Sequence, residues 1–279
     1  MVKNEIVALC CAVLLCGCSG SHGFSWRRVA MDGHRSGVEC ITSENSATAL
    51  GRFEGESYIA PSGAKYASDS PVAVLARKIM DAQPALAHYK EVVGHSDAML
   101  MNLRNQPDLP LGNLIADMLR SYASDYFGVP MDLAITNYGG IRTPLPEGAV
   151  TLEDISSMFP FKNYLCYVKI RGRELQRLLD QLAGTKAFQA VSGGRFEVEG
   201  GKIVSAQIGG APINPSKVYN LATIDFLLDG GDKLNIGALA QDVKLTKVLM
   251  QEVILTSVKQ AEARGEVLSG KSDGRVIMR

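Results

Sequence analysis

Hydrophobic residues recur at two different spacings along this chain, and the first clear helical spacing begins at Pro71. The apolar positions from Val72 to Ile79 repeat every three or four residues, which is the period of one helix face. Ser70 can cap the first turn with its hydroxyl, and proline is well tolerated at the first helical position. Pro84 lacks an amide hydrogen, so we expect a kink or a restart of the helix there.

The segments that follow divide between helical and strand spacing. The pattern predicts helices at residues 111–127, 174–182 and 249–263, and a short helix that Thr151 caps with Asp154 as its partner. Strands are predicted at residues 91–95, 132–136, 164–170, 196–199, 203–208, 218–223 and 276–278. Helices and strands alternate at first, and the strands then cluster. This order predicts the α/β class, with a mixed β-sheet and packed helices over residues 71–279.

The region before this domain has a different composition. Residues 26–70 are rich in Gly, Ser and Asn and show no sustained helical or strand period. We therefore expect residues 18–70 to form a tether and a loop-rich, strand-poor lead-in segment.

The N-terminus carries a 12-residue apolar run, from Ile6 to Gly17. A membrane-spanning helix needs about 20 residues, so the run has instead the length of the apolar part of a signal peptide. It ends in Leu15-Cys16-Gly17-Cys18, which resembles a bacterial lipobox. The resemblance implies a lipoprotein signal peptide at residues 1–17 and acylation of Cys18. The chain would then be anchored by lipid in the bacterial cell envelope and face the periplasm. An ordinary cleaved secretory signal is the alternative.

Composition excludes some classes of function. The chain has 279 residues, 46% of them hydrophobic, and its 29 Lys and Arg balance its 29 Asp and Glu. A nucleic-acid-binding protein normally has a basic surplus that neutralises phosphates, so we expect no nucleic-acid partner. A disordered chain would have fewer apolar residues and a larger net charge.

Few cysteines remain once the predicted signal peptide is removed. Besides the predicted acylation site, only Cys40 and Cys166 are left, which is too few for a disulfide framework. The two could pair in an oxidising periplasm, whereas buried thiols are the simpler interpretation.

The sequence shows neither a complete metal centre nor a catalytic nucleophile. Asp32 and His34 have the spacing of two metal ligands, but a dinuclear hydrolase needs about six. Neither remaining cysteine has a neighbouring motif that would supply an activating histidine. We therefore predict no catalytic residue, no metal site and no cofactor in this chain, and favour a loop-ordering role for Asp32 and His34.

A glycine turn directly after a predicted buried strand offers a different chemistry. Asn137-Tyr138-Gly139-Gly140-Ile141-Arg142 lets backbone amides approach an anion while the guanidinium of Arg142 binds it in two places. Taken alone, this turn is more simply interpreted as structural.

Two further turns carry aromatic residues. Phe161 follows Pro160, which stiffens the turn and could hold the ring outward. In Phe226-Leu227-Leu228-Asp229-Gly230-Gly231-Asp232, an aromatic ring precedes a carboxylate on a tight turn. Two rings can enclose a planar base, and a carboxylate can accept hydrogen bonds from both hydroxyls of a ribose. The combination of three turns is more specific than any one of them.

These turns resemble the C-terminal domain of the 5′-nucleotidase / UDP-sugar hydrolase family. The resemblance covers about residues 72–279. It rests on motifs that occur in the family's order, namely Pro110-Leu111-Gly112-Asn113-Leu114-Ile115-Ala116-Asp117, Asn137-Tyr138-Gly139-Gly140-Ile141-Arg142, Phe159-Pro160-Phe161-Lys162-Asn163, Asp225-Phe226-Leu227-Leu228-Asp229-Gly230-Gly231-Asp232 and Asp273-Gly274-Arg275-Val276. One departure is Lys233, where many relatives carry Gly, and we expect it to stiffen the turn.

The resemblance implies which residues bind substrate. Phe161 and Phe226 would stack on the base, and Asp232 would bind the ribose hydroxyls. Arg142 would contact phosphate, and Arg104 is the best counterpart of a second phosphate-side arginine. The residues expected near the sugar and base are Asn137, Gly139 and Gly140.

The resemblance also implies a missing part. In the family, an N-terminal metallophosphatase domain with two metal ions hydrolyses the phosphoester, and its ligand motifs are absent from this sequence. The chain would thus be the substrate-recognition part of a 5′-nucleotidase, and a separate metallophosphatase polypeptide would carry the divalent metals. A non-catalytic periplasmic nucleoside- or nucleotide-binding lipoprotein is the alternative, and a self-sufficient hydrolase is less favoured because no general base is visible.

Overall fold

The computed structural model describes residues 49–104 and 106–279, which divide into two compact units. One unit reaches to Asp81 and the other runs from Ala82 to Arg279. Several sequence predictions concern residues outside the described part and stay predictions, namely the signal peptide at 1–17, Cys18, Asp32, His34 and Cys40.

The first unit contains a small antiparallel sheet. Its strands are β1 (Arg52–Glu54), β2 (Ser57–Ile59) and β3 (Lys65–Ala67). Gly55 and Gly63 lie in the connecting turns with positive φ, a conformation that favours glycine. The lead-in therefore contains more strand here than the sequence predicts, because the glycines that suggest a loop separate strands of only three residues.

Helix α1 (Pro71–Leu86) begins at the predicted residue. The hydroxyl of Ser70 accepts a hydrogen bond from the amide of Ala73 at 3.3 Å, as expected of a cap. The helix continues through Pro84 and ends two residues later, where a 3₁₀ turn (Ala87–Lys90) follows. The proline thus marks the end of the helix and does not interrupt it.

The second unit holds the remaining helices and strands. Its helices are α2 (Pro110–Phe127), α3 (Leu152–Met158), α4 (Gly172–Ala183), α5 (Asp225–Leu228), α6 (Ile236–Leu239) and α7 (Met250–Ala263). Its strands are β4 (Val92–Ser96), β5 (Leu133–Thr136), β6 (Gly148–Thr151), β7 (Tyr164–Arg171), β8 (Ala190–Ser192), β9 (Gly194–Glu199), β10 (Lys202–Ile208), β11 (Ala211–Pro212), β12 (Val218–Ile224), β13 (Ala240–Leu249) and β14 (Val276–Met278).

The strands of the second unit form two larger sheets and one pair. The five-stranded sheet has the order β13-β7-β12-β5-β8, in which only β12 and β5 are parallel. The four-stranded sheet has the order β11-β10-β9-β14, and β4 pairs with β6. The predicted mixed α/β architecture is confirmed.

The core lies between the five-stranded sheet and the helices packed on it. All four residues of β5 are buried, as a central strand requires. On α2, Leu111, Ile115 and Leu119 recur at helical spacing and are almost fully buried. Within the described residues, no helix combines the length and the hydrophobicity that crossing a membrane would require.

The closing segment of the chain is clamped to α2. The guanidinium of Arg275 donates to both carboxylate oxygens of Asp117, at 2.9 and 3.0 Å, and to Asp273 at 2.8 Å. Burial would lower the pKa of Arg275, but its hydrogen bonds to these two carboxylates outweigh burial and raise it. Two of the motifs found in the sequence therefore hold the fold together.

The thiol of Cys166 lies on β7 and is fully buried, in agreement with the simpler interpretation of this residue. Its Sγ donates to the carbonyl of Tyr164 at 3.4 Å. Burial raises the pKa of the thiol to about 12, so it stays protonated at physiological pH.

Candidate functional site

The three turns singled out in the sequence lie at the same end of the five-stranded sheet. β5 and β12 run parallel and both end there, whereas β7 is antiparallel to β12 and begins there, with Leu165 opposite Ile224. The amide of Tyr164 also donates to Oδ1 of Asp225 at 2.9 Å, which ties the second turn to the third. Strand register, which the sequence alone does not reveal, therefore brings the turns together.

The first turn is shaped around the side chain of Asn137. Its Nδ2 donates to Oδ2 of Asp232 at 2.8 Å, so the first and third turns are in direct contact. A Cβ on Gly140 would lie 2.8 Å from Oδ1 of Asn137, and one on Gly139 would lie 3.2 Å from Nδ2. A side chain at position 140 would displace the asparagine, and one at position 139 would crowd it.

Two amide side chains that sequence reasoning missed hold the first turn in place. Asn102 donates through Nδ2 to the carbonyls of Tyr138 and Ile141, at 2.8 and 2.7 Å. Gln189 accepts from the amide of Tyr138 at 2.9 Å and donates to Oδ2 of Asp232 at 3.3 Å. Neither residue belongs to a periodic pattern or a quoted motif, so no signal in the sequence pointed to it.

Asp232 is exposed, and its orientation is set by these neighbours. Both amide donors reach Oδ2, and no hydrogen bond from the described residues reaches Oδ1. The φ of Asp232 is +51° and that of Lys233 is +65°, in the left-handed region that favours glycine. A glycine at position 233 would suit this conformation, and Lys233 adopts it at some cost in backbone strain.

The side-chain carbonyl of Asn137 is a buried acceptor without a partner. The residue is 4% exposed, and its Oδ1 receives no hydrogen bond from the described residues. An unpaired buried acceptor costs about 1–3 kcal/mol, which a donor from a ligand or a water would offset. Asn137 borders a cavity together with Thr136, Gly140, Phe159, Phe161, Asn163, Ile224 and Met250.

Phe226 presents a ring at the third turn. The side chain is 43% exposed, which is unusual for a residue of this size. A Cβ on Gly231 would lie 2.6 Å from two of the ring carbons, so the ring lies directly on the glycine backbone. One face of the ring is thus supported by the turn, and the residue borders a groove of about 450 Å³ with Asn163, Asp225, Asp229, Gly230 and Gly231.

Phe161 presents a second ring on the second turn. It is 48% exposed, and the guanidinium carbon of Arg142 lies 5.6 Å from the ring centroid. Arg142 also donates to the carbonyl of Gly139 at 3.3 Å. Asn163 borders both the cavity beside Phe161 and the groove beside Phe226. Two exposed aromatic rings therefore flank one amide side chain, to which sequence reasoning had assigned no role.

Arg104 borders a third space, beside Asp232. This groove has a volume of about 490 Å³ and is lined by Arg104, Tyr138, Gly139, Gly184, Thr185, Lys186, Ala187, Gln189, Asp232 and Lys233. The described part of the structure thus places all eight residues of the predicted site around one end of the sheet.

Tyr138 packs the first turn against α2. A Cβ on Gly112 of α2 would lie 2.4 Å from its ring, so the glycine of the Leu-Gly-Asn motif makes room for the tyrosine. Burial raises the pKa of Tyr138 to about 12, and the phenol is therefore neutral at physiological pH.

The described residues contain no group of three or more His, Cys, Asp or Glu side chains arranged to hold a metal ion. His95 lies on β4, where its Nδ1 is 3.1 Å from the carboxylate oxygens of Glu262. The site at the end of the sheet consists of aromatic rings, amides, cations and the carboxylates of Asp225, Asp229 and Asp232, a set suited to binding a planar, hydroxylated ligand.

Known proteins are similar to this chain in sequence and in architecture. The profile of the family described as 5′-nucleotidase, C-terminal domain, matches residues 92–240, more than half of the chain. Protein UshA of Yersinia enterocolitica is 31% identical over 105 residues, which are 36% of this chain and 19% of UshA. Endonuclease YhcR of Bacillus subtilis is 29% identical over 215 residues, 74% of this chain and 17% of the endonuclease.

A solved structure has the same fold. The crystal structure of a 5′-nucleotidase precursor from Thermus thermophilus superposes with a TM-score of 0.64 at 24% identity, over 75% of this chain and 44% of that protein. The chain thus spans less than half the length of this neighbour and less than a fifth of the two relatives above. By the match over residues 92–240, it belongs to the 5′-nucleotidase family and carries the C-terminal domain of that family.

Proposed function

We propose that this chain is the substrate-recognition part of a 5′-nucleotidase-type phosphohydrolase that acts in nucleotide catabolism. The observation that carries the proposal is the hydrogen bond between Asn137 and Asp232, which joins two turns beside two exposed aromatic rings. Its ligand is a nucleotide or nucleoside, held by base, ribose and phosphate.

The base is bound between the rings of Phe161 and Phe226. Exposed aromatic faces bind planar heterocycles well because stacking removes apolar surface from water. Asn163 lies beside both rings and offers an amide donor and acceptor to the edge of the base.

The ribose and the phosphate are bound on either side of Gly139. Asp232 accepts hydrogen bonds from the ribose hydroxyls, and Asn137 and Gln189 orient its carboxylate. Arg142 donates to the phosphate, which suits a guanidinium because it forms two parallel hydrogen bonds with oxyanions.

Hydrolysis is assigned to a separate polypeptide with two metal ions. The proposal is supported by the family resemblance and by the donor set at the end of the sheet, where Asp225, Asp229 and Asp232 of the described residues are not grouped as metal ligands would be. Hard divalent ions in phosphatase sites need several carboxylate or imidazole ligands. The partner would present the phosphoester to its metals while this chain holds the nucleoside.

Calorimetry with AMP and adenosine tests the binding function. Phe226→Ala should weaken AMP binding by about 5- to 150-fold, the equivalent of the 1–3 kcal/mol that a base stack contributes. Asp232→Ala should weaken binding of AMP and adenosine alike. Val204→Ala, at an exposed apolar position of β10, is the matched control and should bind as the wild type does. Absence of AMP binding, or equal binding by all four proteins, would rule the function out.

Purification from the native membrane tests whether the chain has a phosphatase as its partner. We expect a phosphatase to co-purify with the chain and to lose activity in EDTA, because the metals belong to the partner. A chain that binds nucleotides but brings down no phosphatase would be a non-catalytic binding lipoprotein. Phosphatase activity of the purified chain that survives EDTA would contradict both.

A further inference from the structure

The groove beside Asp232 concentrates positive charge in a chain whose overall charge is zero. Its lining includes three cations, Arg104, Lys186 and Lys233, against the single carboxylate of Asp232, which leaves a net charge of +2. The cations come from three segments that are distant in sequence and meet only in the fold.

None of the three cations forms an ion pair with a carboxylate of the described residues. Elsewhere in the same part of the chain, cations such as Lys217 and Arg275 are held at 2.9 Å by aspartates. Lys233 also occupies a left-handed position, φ +65°, at which glycine would be less strained. Three cations without a carboxylate partner in one groove are available to bind an anion.

The groove lies on a particular side of the proposed ligand, so the inference rests on the proposed function. Asp232 accepts from the ribose hydroxyls, and the two lysines line the same groove as its carboxylate. In a nucleotide, the 2′ and 3′ oxygens lie on one face of the ribose ring and the 5′ carbon on the other. The 5′-phosphate is directed to Arg142, beside Phe161, which leaves the two lysines to the hydroxyl face together with Arg104, the residue that the family resemblance had assigned to the 5′-phosphate side.

We propose that Lys186 and Lys233 bind a second phosphate, carried on the 2′ or 3′ oxygen of the ribose. The ligand class is a nucleoside bisphosphate, or the first residue of a 5′-phosphorylated dinucleotide. Asp232 then binds the hydroxyl that remains free, and its Oδ2 is kept in place by the amides of Asn137 and Gln189. The net positive charge of the groove offsets the repulsion between its carboxylate and the phosphate.

A comparison of the affinities for nucleotides of different charge tests this inference. Calorimetry at low salt with adenosine 3′,5′-bisphosphate, adenosine 2′,5′-bisphosphate and AMP should show at least one bisphosphate binding about tenfold more tightly than AMP, since charge-assisted hydrogen bonds to phosphate are strong. The preference should decline as salt is raised, because the lysines are exposed. A 5′-phosphorylated adenosine dinucleotide distinguishes the two forms of the second phosphate. Tight binding of the dinucleotide shows that the lysines accept a phosphodiester, and weak binding restricts them to the monoester of a nucleoside bisphosphate.

The double variant Lys186→Ala/Lys233→Gly identifies the residues responsible. It should bind AMP as the wild type does and lose the preference for the bisphosphate. Lys233→Gly fits the local backbone, so the variant is expected to fold. Lys202→Ala, on the exposed side of β10, is the control and should keep the preference.

The outcomes separate this inference from the function on which it rests. Binding of AMP without any preference for a bisphosphate overturns the inference alone. A preference that survives in the double variant also overturns it, because the lysines would not be its source. Failure of the wild type to bind AMP overturns the proposed function and the inference with it.

Discussion

The side chain of Asn137 connects two turns that are 95 residues apart. It bonds Asp232 through Nδ2, while Gly139 and Gly140 leave it the space to do so. Another small side chain could not replace Asn137, because the amide of Asn137 orients the carboxylate of Asp232 on a different segment.

Gly140→Ala tests this arrangement. The added methyl group would lie 2.8 Å from Oδ1 of Asn137 and would push the amide away from Asp232. We expect AMP affinity to fall by about tenfold, the equivalent of roughly one hydrogen bond to a charged group. Calorimetry measures the affinity.

A double-mutant cycle supplies the control. In an Asn137→Ala background the clash is gone, so adding Gly140→Ala should cause little further loss of affinity. If the two substitutions instead have additive effects, Gly140 does not act through Asn137.

At the scale of elements, the sequence predicted most of the long helices because their apolar faces repeat regularly. α2 and α7 were predicted within a residue of their observed bounds. β13 was missed because charged residues such as Asp242, Lys244 and Lys247 interrupt its alternation, which is common on the edge strand that it forms. The strands of the first unit were missed because each has three residues, too few to show a period.

The clamp between α2 and the closing segment gives a prediction on stability. Arg275→Gln removes hydrogen bonds to Asp117, Asp273 and the carbonyl of Val191. We expect a loss of about 1–3 kcal/mol in the free energy of unfolding, because the carbonyl of the buried Val191 is left unpaired, whereas Asp117 and Asp273 are 46% and 40% exposed and can bond to water. Arg279→Gln, whose ion pair with Glu199 is exposed, should cost less than about 0.5 kcal/mol in the same denaturant titration.

The same clamp between α2 and the closing segment makes the free energy of unfolding depend on pH. The hydrogen bond from Arg275 lowers the pKa of Asp273 below its ordinary value. A lowered folded-state pKa means that the stabilisation is complete above the unfolded value, near 3.9, and is lost as pH falls through the folded value. Because Asp273 is 40% exposed, we expect a loss of about 1 kcal/mol or less at acidic pH, and a flatter profile in Arg275→Gln. Equal slopes in the two proteins would contradict this assignment.

At the scale of the whole molecule, the sequence predicted the residues of the candidate site but not how they are held. The three turns were identified from their glycines and aromatic rings. Their convergence depends on β7 and β12 being antiparallel neighbours, which no local pattern specifies. Asn102 and Gln189 escaped notice for the same reason, since their partners are 36 or more residues away.

The predicted lipid anchor can be tested directly. Cys18→Ser should abolish labelling of the protein by a fatty-acid analogue and release it from the membrane fraction, because the predicted diacyl group would be attached to that thiol. Labelling that persists in this variant would contradict acylation of Cys18, and absence of label from the wild type would indicate an ordinary secretory signal.

Asp232 is held by amides from two other segments, whereas Phe161 and Phe226 are exposed side chains on two separate turns. Under the proposed function, a change at either aromatic position would leave the hydrogen bonds between Asp232 and the sugar intact. Single substitutions there would then alter the choice of heterocycle, whereas loss of the carboxylate or of its amide partners would weaken the binding of every nucleoside.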